Sequence, residues 1–140
     1  MLFRSDDEIA PTITGTPENI TVSCAGDVPT ASINSVTATD NCAGTVSVTV
    51  QDVIGNQTCA NRYTITRTWT ATDVCGNAAT STQFITVDDE IAPTITGTPE
   101  NITVSCASDV PTASISSVTT TDNCAGIVSV TVQDAISNQN

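Results

Sequence analysis

The chain has 140 residues, of which fifteen are Asp or Glu and three are Arg, with no Lys and no His, for a net charge of −12. Three Arg cannot build the basic face that displaces counterions from phosphates, so nucleic-acid binding is excluded. Without His or Lys the common general bases and Schiff-base nucleophiles are missing, so no enzyme is expected, and no apolar run reaches the length of a membrane span.

In chain order, Met1 to Ser5 match nothing else in the sequence and read as a leader or a non-native segment. Residues 12–23 then form one or two short strands, with alternation clearest at Ile20-Thr21-Val22. Strands are expected at 33–39, around Val36-Thr37-Ala38-Thr39, and at 45–53, where Val46-Ser47-Val48-Thr49-Val50 alternates strictly. The run Tyr63 to Thr72, within a strand at 62–72, puts five Thr on one face and Tyr63, Ile65 and Trp69 on the other. Arg67 falls on that apolar face, which calls either for a sheet-edge carboxylate partner or for a bulge that turns it outward. A last strand at 79–87 contains Gln83-Phe84-Ile85-Thr86-Val87. Pro, Gly and Asx clusters separate the strands, and no helix is required, so the fold class is all-β, a sandwich of short strands.

An internal repeat governs the domain organisation. Asp6-Asp7-Glu8-Ile9-Ala10-Pro11 recurs as Asp88-Asp89-Glu90-Ile91-Ala92-Pro93, a shift of 88 − 6 = 82 residues. Residues 6–58 and 88–140 align as 53 pairs with seven differences, so 53 − 7 = 46 match. Residues 6–87 make a complete repeat; residues 88–140 are an incomplete second one, without counterparts of 59–87.

Strand directions place the loops. If 12–23 runs up, then 33–39 runs down, 45–53 up, 62–72 down and 79–87 up. Asp6–Glu8, Asp40-Asn41-Cys42 and Asp73–Asn77 then share the lower pole. Cys24, Asp27, Asp52, Asn56, Cys59 and Asp88-Asp89-Glu90 share the upper one. A ten-residue strand spans about 33 Å, whereas disulfide Cα atoms lie within about 7 Å. Cys59 and Cys75 flank one strand and should not pair, and the same holds for Cys24 and Cys42. The expected bridges are Cys24–Cys59 and Cys42–Cys75, and they imply an oxidising exterior. Zinc is not indicated, because no CxxC pair and no His occur.

Several segments resemble the hyalin-repeat (HYR-like) modules of bacterial surface proteins. They are Pro17-Glu18-Asn19-Ile20-Thr21-Val22, Ala38-Thr39-Asp40-Asn41-Cys42, Thr70-Ala71-Thr72-Asp73 followed by Cys75-Gly76-Asn77, and Ile85-Thr86-Val87-Asp88-Asp89. The resemblance implies tandem immunoglobulin-like sandwiches along a secreted or cell-surface protein, used for adhesion or as spacers.

The carboxylates are the one chemical signal. Calcium takes six to eight oxygens from Asp, Glu, Asn and carbonyls. The expected set is Asp7, Glu8, Asp40, Asn41, Asp73 and Asn77 at the pole, with Asp88, Asp89, Glu90, Asp122 and Asn123 at the junction and in the second copy. The plain alternative is that they are solvated acids and Asx turn-formers. The functional expectation is an extracellular structural protein: repeats forming a fibre, stalk or adhesin shaft, calcium-stiffened at the junctions and partnered head-to-tail by copies of itself. Its rivals are an adhesin repeat that grips a surface glycan or protein, and an accessory module of a secreted enzyme.

Overall fold

The computed structural model describes residues 5–138. The chain divides between Asp89 and Glu90 into two units. Of the segment Met1 to Ser5, all but Ser5 lies outside the described residues.

The first unit is built from two sheets. In the smaller, β1 (Thr12–Thr14) pairs antiparallel with β3 (Thr37–Thr39), Ile13 opposite Ala38. The larger contains β2 (Ile20–Val22), β4 (Ser47–Cys59), β5 (Arg62–Thr72) and β6 (Ala78–Asp88) in the order β2-β6-β5-β4. β2 runs parallel to β6, and β5 is antiparallel to both β6 and β4. These are the strand directions expected above. Short 3₁₀ turns at Ala25–Asp27 and Ile33–Ser35 are the helical elements of this unit. Gly15 follows β1 at φ +78°, a left-handed conformation that lets the chain turn out of the ribbon; a side chain there would be strained.

Alternation in β5 sets the core. Ile65, Arg67, Trp69 and Ala71 are buried, while the intervening Thr66, Thr68 and Thr70, on the opposite face, are half-buried. Trp69, Ile85 and Val87 are the largest fully buried side chains. The Trp69 indole Nε1–H donates to the carbonyl of Ser32 at 2.8 Å, fixing the Ile33–Ser35 turn that leads into β3.

β4 departs from expectation. It runs on to Cys59 rather than stopping near residue 53, and its register with β5 slips between Gly55 and Cys59. Asn56, at φ 55°, takes up the irregularity in a region that Asn tolerates. Asp52 therefore lies mid-strand opposite Arg67 and not at the upper pole. Its carboxylate accepts from Arg67 Nε at 2.7 Å and from the second guanidinium nitrogen at 2.9 Å. Arg67 thus stays on the apolar face, and no bulge turns it away.

The second unit holds β7 (Thr94–Thr96) paired with β8 (Thr119–Thr121), Ile95 opposite Thr120, which is the β1–β3 register 82 residues on. Two identical segments behave differently in the two units. Ile20-Thr21-Val22 is a strand beside β6, whereas Ile102-Thr103-Val104 is not a strand. Val46 to Asp52 lies largely in β4 beside β5, whereas the same seven residues at Val128 to Asp134 form no strand. Pairing across the sheet, not local propensity, makes these strands. Their apolar side chains stay in solvent: Ile102 is 64% and Val132 51% exposed.

Candidate functional site

Three loops meet at the lower pole of the first unit, as the strand directions require. A methyl group added at Gly44 would lie 3.1 Å from Val74 Cγ1, so the 40–44 and 73–77 loops are in contact. Asn77 Nδ2 donates to the carbonyl of Asp7 at 2.9 Å and ties in the N-terminal segment.

The carboxylates of this pole are not equivalent. Asp73 is buried, and its Oδ1 accepts from the backbone N–H of Cys75 at 2.8 Å and of Asn77 at 2.9 Å. Its Oδ2 accepts from Asn77 Nδ2 at 2.8 Å. Burial alone pushes the Asp73 carboxyl up, but hydrogen bonds from Asn77, Cys75 and Gly76 outweigh it and hold the group below its ordinary value. Asp73 and Asn77 are thus spent on closing a turn. Glu8 and Asn41 are exposed. Asp7 and Asp40 remain.

Asp7 Oδ1 accepts from Ile9 N–H at 3.1 Å, and Asp40 Oδ2 accepts from Cys42 N–H at 3.1 Å. The other oxygens, Asp7 Oδ2 and Asp40 Oδ1, are each sealed from solvent without a donor. Donor atoms of Asp7, Asp40 and Cys42 lie within 4.8 Å of one another. The Cys42 sulfur also accepts from Asn41 Nδ2 at 3.1 Å. Desolvation pushes the Cys42 thiol up, and the charge of Asp7, a hydrogen bond with that carboxylate, and then Asp40 and Cys75 add to the shift.

The remaining residues of the expected metal set lie elsewhere. Asp88 is ion-paired with Arg62 at 2.8 Å, and Asp89 N–H donates to the carbonyl of Asn61 at 3.0 Å. Glu90 is exposed. In the second unit Asp122 Oδ2 accepts from Cys124 N–H at 3.1 Å, and Asn123 Nδ2 donates to the Cys124 sulfur at 3.2 Å. That turn copies the one at Asp40-Asn41-Cys42.

Neither expected bridge is closed. Cys42, Cys59 and Cys75 are free thiols, and Cys24 is disulfide-bonded, though not to Cys59. Near Cys59 the register of β4 slips. Four steps from Gly55 to Cys59 are matched by two from Thr64 to Arg62, so Cys59 faces the exposed Arg62. Cys24 instead follows Ile20 and Val22, whose register partners Ile85 and Val87 are buried. The two cysteines come to the same pole, where Asn61, two residues after Cys59, accepts through Oδ1 from Ala25 N–H at 2.9 Å. At the lower pole the Cys42 sulfur is drawn to Asn41 and the two carboxylates, and Cys75 is only a neighbour.

The Asp73 turn yields a pH prediction. Its folded pKa lies below the unfolded value of about 3.9, so its contribution is complete above that value and disappears as pH falls through the folded one. Asp73→Asn should lower Tm at pH 7, and its difference from the unmodified chain should shrink below about pH 4. Thermal melts from pH 7 to 2 check this; a difference that is constant with pH would mean that ionisation is irrelevant to the turn.

Two sheets closed over a Trp69-centred core define an all-β sandwich module. The family model for the HYR-like domain with 4 cysteines matches residues 12–87, more than half of the chain, and the chain belongs to that family. No curated protein and no solved structure matches it. The module is of an extracellular, adhesion-type class, and among the described residues no helix is long and apolar enough to cross a membrane.

Proposed function

We propose that this chain is part of an extracellular shaft: HYR-like sandwiches repeated head-to-tail as rigid spacers in a stalk, fibre or adhesin. The observation that carries the reading is the recurrence of one ribbon, β1–β3 and then β7–β8, at the same register 82 residues apart. The differences between copies support a spacer. Gly26, Asn34, Thr45, Val53 and Thr58 are exposed, Ala38 and Gly55 are half-buried, and none of the seven is in the core. A surface selected to grip a ligand would concentrate its changes in one loop cluster; these are scattered. The role is mechanical, with no catalytic step assigned.

The test is small-angle X-ray scattering on chains carrying two, three and four complete 82-residue repeats. An eleven-residue strand such as β5 spans roughly 36 Å, so each added repeat should lengthen the maximum dimension by a similar, constant amount. A dimension that grows only as the cube root of mass would show a collapsed assembly and refute the shaft. Antibody labelling of intact producing cells tests the location.

A further inference from the structure

We infer that the second unit holds a preformed seat for a β-hairpin of the β5–β6 sequence, supplied in trans by a hairpin not already seated in its own repeat. A cavity of ≈ 370 Å³ opens in this unit, and its lining includes Glu100, Ile102, Ser114, Val132 and Asp134. None of the seven positions that differ between the two copies falls in that lining. The cavity wall is therefore the same, residue for residue, as a surface of the first unit 82 positions earlier.

The first unit shows what fills such a surface. There the Ser32 carbonyl accepts from Trp69 Nε1–H at 2.8 Å, and the Glu18 carbonyl accepts from Gln83 Nε2 at 2.7 Å. The Asp52 carboxylate accepts from Arg67 Nε at 2.7 Å. Val50 stands opposite Trp69, and Ile20 lies beside Ile85. Every one of these partners belongs to β5 or β6. Ser114, Glu100, Asp134, Val132 and Ile102 are the counterparts, so the cavity is the mould of one hairpin's inner face.

The seat is built before its occupant arrives. Ser117 N–H donates to the Ser114 carbonyl at 3.3 Å, as Ser35 N–H does to that of Ser32, and β7–β8 keeps the β1–β3 register. Little ordering is left to oppose binding. A β5-type strand would pair with 128–134, placing its Trp opposite Val132 and its Arg opposite Asp134. A β6-type strand would run parallel to 102–104. Backbone pairing then supplies affinity, and the Trp, Arg and Gln positions supply specificity. An intact copy of this chain cannot donate, because its own Trp69 is 0% exposed. As a joint between chains the seat rests on the shaft reading above; as a binding site it does not.

The experiment titrates the full chain with residues 60–88, carrying Cys75→Ser and fused behind an inert soluble carrier. Calorimetry should show saturable one-to-one binding. Hydrogen exchange should slow at 102–104 and 128–134 and stay unchanged at 20–22 and 47–52. Trp69→Ala or Arg67→Ala in the added hairpin should each weaken binding about tenfold or more. Val132→Asp in the full chain should abolish it without moving the melting of the first unit, since Val132 is 51% exposed and lies in no strand. Scattering reads the shaft and binding reads the seat, so either can fail alone. No saturable binding, or affinity indifferent to Trp69→Ala, would overturn the assignment. So would altered exchange at 20–22, which means exchange with the resident hairpin, or dimerisation of the full chain through 128–134, which makes a second copy the occupant.

Discussion

Trp69→Ala should cost about 3–5 kcal/mol and take the first unit to the edge of unfolding. The side chain is 0% exposed, so its removal leaves a cavity where β5 faces the smaller sheet. It also strips the donor from the Ser32 carbonyl, held at 2.8 Å by the indole, and an unpaired buried acceptor adds about 1–3 kcal/mol unless water reaches it. A domain of this size has a total stability of roughly 4–12 kcal/mol. With about 4–8 °C of Tm per kcal/mol, the melting temperature should fall by more than about 12 °C. Thermal melts of the full chain followed by circular dichroism measure it, since the substitution removes the fluorophore. Trp69→Phe should retain most of the packing and lose the hydrogen bond, separating the two contributions. A fall in Tm under about 4 °C for Trp69→Ala would mean that this residue does not organise the core.

What was legible in the sequence follows from what is local. The Thr alternation of β5 identifies the strand, its inward face and its central Trp69 without further information. Strand directions then predict which loops meet, because a strand has two ends and must deliver its termini to opposite poles. The β4 arm was not legible. Gly55-Asn56 reads as punctuation, yet it is absorbed into a strand that continues to Cys59 because β5 continues opposite it. That same slip sets Cys59 opposite Arg62, a register that strand directions alone do not predict. At the lower pole the sequence shows six oxygen-bearing side chains and cannot show which are already spent. Asp73 and Asn77 are consumed by hydrogen bonds four residues apart, whereas Asp7 and Asp40 each keep an unpaired oxygen. The clearest limit on local reasoning is the stretch Val46 to Asp52 and its duplicate at Val128 to Asp134. One sequence, in two surroundings, forms a strand only where β5 lies beside it.

The Arg67–Asp52 pair should show a large and asymmetric effect. The Arg67 side chain is 4% exposed and that of Asp52 33%. Asp52→Ala therefore leaves a guanidinium inside the sandwich with no counter-charge, which should cost about 3–5 kcal/mol. Arg67→Ala leaves its partner at the sheet edge, where water reaches the carboxylate, and should cost less. The contrasting case is Arg62–Asp88, with side chains 53% and 35% exposed, where Arg62→Ala should cost under about 1 kcal/mol. A buried pair is not in itself the most stable solution, because desolving two charges offsets most of their attraction. The double variant Arg67→Met with Asp52→Leu should accordingly recover to within about 1 kcal/mol of the unmodified chain, since both apolar side chains lie opposite each other in register. Urea melts of Asp52→Ala, Arg67→Ala and the double alanine variant complete a separate cycle whose coupling energy is expected at about 1–3 kcal/mol. Added salt should change that coupling little for Arg67–Asp52 and reduce it for Arg62–Asp88. Equal costs for Asp52→Ala and Arg67→Ala, or a coupling near zero, would show that Arg67 reaches solvent and that the charge is not confined between the sheets.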